Sequence, residues 1–181
     1  METEIQQILS KIDKSRKEFK PEKIKYLLVA EAPPDSIERF FYFPKVREKD
    51  FLFLGIMELL FPEIKSKFLQ SGRDPAIKTL LLNNFKAKGF YLLDLSDVPL
   101  RYLNAPLENC LPGLLKRIES IVDKKNTKII LIKANVFEIA YYSLKSLGYN
   151  IVGLKIPFPS SGQQGNFRIQ FLEALNLIKY K

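Results

Sequence analysis

Four short apolar runs, separated by segments of helical periodicity, constrain the fold of this 181-residue chain most strongly. The runs cover residues 26–30, 90–93, 129–132 and 151–156. Continuous apolar runs of this length are typical of strands that are covered on both faces, and strands that alternate with helices pair in parallel. The sequence therefore predicts an α/β fold: a three-layer α/β/α sandwich around a mostly parallel sheet of about four strands.

The segments around these runs carry the apolar spacing of amphipathic helices. In the first segment, Ile5, Ile8, Leu9 and Ile12 follow the i, i+3, i+4, i+7 pattern. Further helices are predicted at 51–61, 76–86, 111–122, 136–147 and about 167–178. The length and the 46% hydrophobic content suit one domain, so residues 1–181 are predicted to form a single domain with an N-terminal helix at about 4–19.

Two residue types that carry much of protein chemistry are scarce or missing. Cys110 is the single cysteine, which excludes an internal disulfide and an iron–sulfur or thiolate zinc site built within one chain. The chain has no histidine, which excludes a Ser-His-Asp triad, an imidazole base and a histidine metal site. The glycine patterns of P-loop NTPases and dinucleotide-binding folds are also missing. We therefore expect no metal and no cofactor.

The net charge of +9 and the pI near 9.5 favour a polyanionic partner. We expect DNA, with RNA as the alternative. The basic clusters at 14–25 and 124–128 are predicted to be solvated faces without a specific site. No apolar stretch approaches the roughly 20 residues of a membrane helix, and the first residues do not resemble a signal peptide. These features, with the single cysteine, predict a cytoplasmic protein that does not engage a membrane.

Polar side chains follow each predicted strand. They are Glu31, Asp94, the pair Lys133 and Asn135, and the hydroxyls of residues 160–161. In parallel α/β sheets the ligand lies outside the carboxyl ends of the strands, so we expect these groups to converge on one edge. The alternative is that Asp94 only caps a turn and that Glu31 is a solvated loop residue.

Two loop segments add candidate binding groups. The loop at 159–166 leads into a helix N-terminus, where free amides favour an anion, so Ser160, Ser161, Gly162 and Gln163 are predicted to contact a DNA phosphate. The alternative is that Asn166 merely caps that helix. The aromatic patch at 40–43 can stack on a base, although core packing is the alternative for most of its members.

These motifs, in this order, resemble those of the uracil-DNA glycosylase superfamily over about residues 26–178. The family carries Gly-Glu-Ala-Pro-Gly after its first strand, where this chain has Ala30-Glu31-Ala32-Pro33-Pro34. It carries His-Pro-Ser in its late motif, where this chain has Phe158-Pro159-Ser160, followed by a small loop and a helix with spaced aromatics. A phenylalanine stacks on the flipped base in the family, and Phe40, Phe41 or Phe43 is the match.

The resemblance implies an N-glycosidic hydrolase with Glu31 as the catalytic carboxylate, Asp94 in place of the asparagine that contacts the base, and Phe41, Phe43 and Phe158 at the base. Backbone amides from residue 160 to 162 are expected to stabilise charge on the departing base. The chain departs from the family at two positions. Phe158 replaces the histidine and donates no hydrogen bond, and an ionised Asp94 only accepts, which suits an amino-bearing base edge.

Three interpretations follow. The first is a DNA base-excision enzyme of altered specificity, and the second is a DNA- or RNA-binding module on the same fold without catalysis. The third is an enzyme that acts on a small molecule or nucleotide, since a fold does not fix a function. The missing histidine favours the binding module, whereas retention of Glu31 favours the enzyme.

Overall fold

The computed structural model, which describes residues 3–160 and 162–180, contains a four-stranded sheet in the order β2-β1-β3-β4. The strands are β1 (Tyr26–Ala30), β2 (Phe90–Asp94), β3 (Lys128–Leu131) and β4 (Asn150–Ile151). Every neighbouring pair is parallel. The predicted α/β fold with a parallel sheet is confirmed.

The fourth strand is much shorter than predicted. Only Asn150 and Ile151 pair with β3, and an isolated bridge joins Ile132 to Ile156. Gly153 interrupts the apolar run between them, and the hydroxyl of Tyr141 lies 3.1 Å from the point that a β-carbon on this glycine would occupy. Glycine weakens a strand and allows such a close approach, which explains why residues 151–156 do not form one continuous strand.

Seven α-helices surround the sheet in the described ranges. They are α1 (Glu4–Glu18), α2 (Phe51–Leu60), α3 (Pro62–Gln70), α4 (Pro75–Ala87), α5 (Leu111–Ile121), α6 (Ala134–Ser146) and α7 (Gln164–Leu177). Six lie where the periodicity predicts a helix. The exception is α3, which starts with Pro62 at its first position and buries Phe68. Proline at the first turn is a helix-start signal that the sequence prediction missed.

The strand order determines how the helices cover the sheet. The chain moves from β1 to one edge at β2, and then crosses back over β1 to β3 and β4. Because parallel crossovers are right-handed, the helices between β1 and β2 pack on one face of the sheet and those between β2 and β4 pack on the other, which gives the α/β/α arrangement. The last helix, α7, contacts α2 and so joins the first of these layers. No helix in the described segments is long and apolar enough to cross a membrane.

The aromatic segment 40–43 belongs mostly to the core. Phe40, Phe41 and Tyr42 are 1%, 5% and 0% exposed, and the ring of Tyr42 stacks on Phe19 at a centroid distance of 6.1 Å. The Tyr42 hydroxyl also accepts a hydrogen bond from the Leu92 amide at 2.7 Å. Core packing is therefore the main role of this segment, as the alternative interpretation expected, and it fixes the loop after β1 against β2.

Candidate functional site

The carboxyl ends of the strands are joined directly by backbone hydrogen bonds. The amide of Leu95 donates to the Ala30 carbonyl at 2.8 Å, and that of Ser96 donates to the Glu31 carbonyl at 2.9 Å. On the other side of β1, the Lys133 amide donates to the Ile156 carbonyl at 2.7 Å. The side chains that follow the four strands are thus held at one edge of the sheet.

A cavity of about 360 Å³ opens at this edge. Its wall includes the predicted site residues Glu31, Asp94, Phe158 and Ser160, together with Lys133. The expected convergence of the three segments that carry these residues is therefore present. A volume of this size matches the lower range of small-ligand pockets in proteins, and most of its lining is apolar and aromatic.

The carboxylate of Glu31 is held by two donors from the segment after β3. Lys133 Nζ donates to Oε2, and Asn135 Nδ2 donates to Oε1. The side-chain amide of Asn135 is held in a fixed orientation, because its Oδ1 accepts a hydrogen bond from the Val136 backbone amide at 2.8 Å. Glu31 is 16% exposed and is therefore neither a solvated loop residue nor a core residue. It presents a fixed carboxylate at the cavity wall.

The backbone at Lys133 is strained. Its φ is 89° and its ψ is 137°, a region that is otherwise almost confined to glycine and costs about 1–3 kcal/mol for other residues. This conformation makes the turn from β3 into α6. It brings the Lys133 side chain back toward Glu31 while the Lys133 carbonyl accepts from the Phe137 amide at 3.1 Å in the first turn of the helix.

Asp94 lies in the cavity wall but is engaged by a residue from α1. Arg16 Nη2 donates to Asp94 Oδ2 at 2.6 Å, and the two side chains are 5% and 4% exposed. Burial raises the pKa of the Asp94 carboxyl above its ordinary value, and the Arg16 guanidinium opposes this effect. Asp94 is therefore half of a buried ion pair, which the sequence interpretation as a base-contacting residue or a turn cap did not anticipate.

A second arginine supports the chain beyond Asp94. Arg117 donates from Nη1 to the Asp94 carbonyl and from Nη2 to the Leu95 carbonyl, both at 3.0 Å. It also forms an ion pair with Asp97 at 2.6 Å. Burial lowers the pKa of Arg117, and Asp97 opposes this shift. The loop after β2 is thus fixed by side chains from α1 and α5.

Two of the three predicted base-stacking aromatic residues line the cavity, and one does not. Phe41 and Phe158 line the cavity, as does Phe40. Phe43 is not among the lining residues and instead packs edge-on against Phe40 at a centroid distance of 5.3 Å. Phe43 therefore packs behind Phe40 and is not part of the cavity lining.

The predicted phosphate loop is only partly at the cavity. Ser160 lines the wall, whereas Gly162 and Gln163 are exposed and outside it, and Ser161 lies outside the described residues. The amide of Ser160 donates to the Phe158 carbonyl at 2.9 Å, so this amide is already engaged within the loop.

The start of α7 also differs from the prediction. Its N-cap is Gln163, which makes no side-chain capping bond. Asn166 does not cap the helix and donates to the Gln163 side chain at 2.9 Å. The first turn of α7 therefore lacks the side-chain cap that the alternative interpretation expected, and its residues are not part of the cavity lining.

Sequence reasoning missed a buried cluster of charged side chains beside the cavity. Asp50, which lines the cavity, is paired with Arg73, and the ammonium of Lys78 lies 3.8 Å from Asp50 Oδ2. This distance is too long for a hydrogen bond, and Lys78 Nζ and Asp50 Oδ2 have no hydrogen-bond partner in the described chain. Burial lowers the pKa of Lys78 from 10.5 to about 7, and Asp50 opposes the shift.

A sequence signal for these residues exists in the helical spacing. Lys78 precedes the buried Leu81, Leu82 and Phe85 of α4 by three, four and seven positions, so it lies on the apolar face. Arg16 follows Ile12 by four positions in the same way. A charged residue on an apolar helical face predicts a buried ion pair, although it does not identify the partner.

The cavity lining carries charged side chains of both signs, with one more carboxylate than cation. The lining contains the carboxylates of Glu31, Asp35, Asp50 and Asp94, and the cations of Arg39, Lys49 and Lys133. Three of the four carboxylates form ion pairs. The cation partners of Asp94 and Asp50, which are Arg16 and Arg73, are not part of the lining, whereas the partner of Glu31 is. An adjoining groove is lined by Arg39, Lys45 and Arg47 and by the carboxylates Glu38 and Glu48, so it carries a small excess of positive charge beside the cavity.

The described residues contain no group of three or more histidine, cysteine, aspartate or glutamate side chains that are placed to hold a metal ion. Comparisons with protein-family models, with curated proteins and with solved structures find no significant match.

Proposed function

We propose that this protein binds a nucleic-acid strand and hydrolyses the N-glycosidic bond of a base held in the cavity. The observation that carries the proposal is the carboxylate of Glu31, fixed at the cavity wall by Lys133 and Asn135. Hydrolysis of this bond develops positive charge on the sugar, and an oriented carboxylate in a partly dry site stabilises such charge. The resemblance of the strand-end motifs to uracil-DNA glycosylases supports the same reaction.

The cavity suits a flipped base in size and in character. Phe41 and Phe158 offer apolar surface for a base that has left its stack, and a base presents a π-face for such contacts. The groove that adjoins the cavity is lined by Arg39, Lys45 and Arg47 together with Glu38 and Glu48, and its three cations can contact the phosphates that flank the base. As part of the same proposal we assign the protein to the cytoplasm, because one cysteine fits a reducing compartment.

A binding module without catalysis is the second candidate, and a specific observation favours it. Both oxygens of Glu31 are already engaged by donors, and Phe158 offers no hydrogen bond to a departing base. A site of this kind stabilises the leaving group poorly, and loss of one such donor costs about 10²–10³ in rate. The two candidates differ in a measurable product, the free base.

The experiment uses oligonucleotides that carry uracil, hypoxanthine or xanthine, in single- and double-stranded form, followed by alkaline cleavage of abasic sites. We expect excision of at least one base, and a loss of about 10²-fold or more for Glu31→Gln. Glu138→Gln is the matched control, because Glu138 is an exposed carboxylate paired with Lys155 at 3.0 Å on α6.

The outcomes separate the candidates. Excision that survives in Glu31→Gln removes Glu31 from the mechanism. Salt-dependent binding with no base released from any substrate supports the binding module. Absence of binding to DNA and RNA at low salt contradicts both candidates and leaves an enzyme for small molecules.

A further inference from the structure

Lys133 and Glu31 form an amine–carboxylate pair in which both side chains line the cavity. We propose that Lys133 is an imine-forming residue, whose Nζ attacks the aldehyde carbon of a ring-opened deoxyribose at an abasic position in a nucleic-acid strand. The inference rests on the proposed function in one respect only, namely that the cavity receives the sugar of a bound strand.

The position of Nζ supports this chemistry. Lys133 Nζ is hydrogen-bonded to Glu31 Oε2, so a sugar carbon that contacts the carboxylate also lies beside the amine. The side chain of Lys133 is 39% exposed, which leaves it accessible from the cavity. An amine beside a carboxylate is a common arrangement for attack on a carbonyl, because the carboxylate can accept and return the proton.

The other lysines near the cavity lack this combination. Lys78 is completely buried and does not line the cavity. Lys49 lines it, but its carboxylate partner at 3.7 Å is Glu48, which is not in the lining. Lys133 is therefore the lining lysine whose carboxylate partner is also in the wall.

The strained backbone of Lys133 is consistent with a functional constraint on this side chain. A non-glycine residue at φ 89° persists only where its surroundings fix it, and such residues cluster at functional sites. Here the Lys133 amide is held by the Ile156 carbonyl, and its carbonyl accepts from Phe137. A glycine at this position would remove the strain and the amine together.

The reaction balances without an oxidant or a reductant. The Lys133 ammonium gives a proton to Glu31, and the amine lone pair forms the C–N bond while the carbonyl π electrons move to oxygen. That oxygen takes up protons through Glu31 and leaves as water, and the C=N bond forms. Overall, an aldehyde and an ammonium give a protonated imine and water.

The test uses a single-stranded oligonucleotide with a preformed abasic site and sodium borohydride, which reduces the imine to a stable amine. We expect a covalent adduct on a denaturing gel, and peptide mass spectrometry should locate it at Lys133. Lys133→Arg retains a cation beside Glu31 but cannot form the adduct, so we expect a loss of at least about tenfold. Lys155→Arg, at an exposed lysine paired with Glu138, is the matched control and should trap normally.

Thermal unfolding of Lys133→Arg at the wild-type temperature excludes a folding defect as the cause of the loss. An adduct spread over surface lysines and unchanged in Lys133→Arg overturns the inference, and so does the absence of any adduct.

Because the abasic site is preformed, the test bypasses base removal. Trapping without excision contradicts the proposed hydrolysis alone, whereas excision without trapping contradicts the role of Lys133 alone.

Discussion

Arg16 Nη2 and Asp94 Oδ2 lie 2.6 Å apart, although the two residues are 78 positions apart in the chain. The pair joins α1 to the end of β2 at the wall of the cavity. Removal of one partner from a buried ion pair leaves an uncompensated charge, which is far more costly than the net contribution of the pair. The stability of the strand-end cluster therefore depends on a helix that contributes no residue to the cavity lining.

Arg16→Met should destabilise the protein by about 3–5 kcal/mol, because it retains the apolar stem but leaves Asp94 without its partner. Chemical denaturation measures the loss. Lys14→Met is the matched control on the exposed side of α1 and should stay within about 0.5 kcal/mol of the wild type. A loss below about 1 kcal/mol for Arg16→Met contradicts a buried, uncompensated Asp94.

Lys78 should make stability depend on pH. Its pKa of about 7 in the folded protein is below its ordinary value of 10.5, so unfolding takes up a proton between these two values. Stability therefore rises with pH across this window, by at most about 1.4 kcal/mol per pH unit, and the contribution of Lys78 is constant below it.

The measurement is the free energy of unfolding of the wild type and of Lys78→Met at several pH values from about 6 to about 9.5. The slope should be present in the wild type and absent in the variant, since methionine does not titrate. Lys67→Met, at an exposed position of the neighbouring α3, should keep the slope. Parallel profiles for the wild type and Lys78→Met contradict the assignment of the shifted pKa to this lysine.

Tyr42→Phe should cost about 1–3 kcal/mol while leaving the packing of the ring intact. The Tyr42 hydroxyl accepts from the Leu92 amide at 2.7 Å and donates to the Leu92 carbonyl at 3.2 Å, so its loss leaves backbone groups of a buried strand without this partner. Chemical denaturation of Tyr42→Phe and of Tyr142→Phe tests the prediction. Tyr142 is 74% exposed, and an equal loss in the two variants excludes a special role for the Tyr42 hydroxyl.

Gly55→Ala should destabilise the contact between α2 and α7. A β-carbon at this position would lie 2.9 Å from a ring carbon of Phe167 and 3.2 Å from Cβ of Pro159. We expect a net cost of about 1–2 kcal/mol, since overpacking exceeds the gain in helix propensity.

Gly113→Ala is the matched control, because a β-carbon there has no neighbour within 4 Å. This substitution in α5 should stabilise the protein by up to about 1 kcal/mol. Urea denaturation of both variants distinguishes a steric effect from a general effect of alanine. A stabilised Gly55→Ala would mean that Phe167 moves aside at little cost.

Most of the fold was predictable because its pattern is local. The apolar runs at 26–30, 90–93 and 129–132 give strands, and the 3.6-residue spacing gives six of the helices. The prediction failed at two places where a single residue determines where a strand or helix begins or ends. Gly153 ends the pairing of β4 early, and Pro62 begins a helix directly after α2.

The site was predictable in part, for a different reason. Glu31, Asp94 and Lys133 follow strands, and parallel topology brings strand ends together whatever the loops do. The partners of these residues depend on contacts that are remote in sequence. Neither the pairing of Arg16 with Asp94 nor that of Lys133 with Glu31 follows from spacing along the chain, because each is fixed by the packing of whole elements.

The attachment of α1 to the strand ends has a practical consequence for shortened versions of the protein. A shorter fragment that lacks the residues before about Lys20 would lose the Arg16 guanidinium that neutralises Asp94. It would also lose the core contacts of Ile12 and Phe19. A fragment trimmed in this way would carry an unbalanced acid in the cavity wall. Affinity tags are therefore better placed ahead of the intact helix than substituted for any part of it.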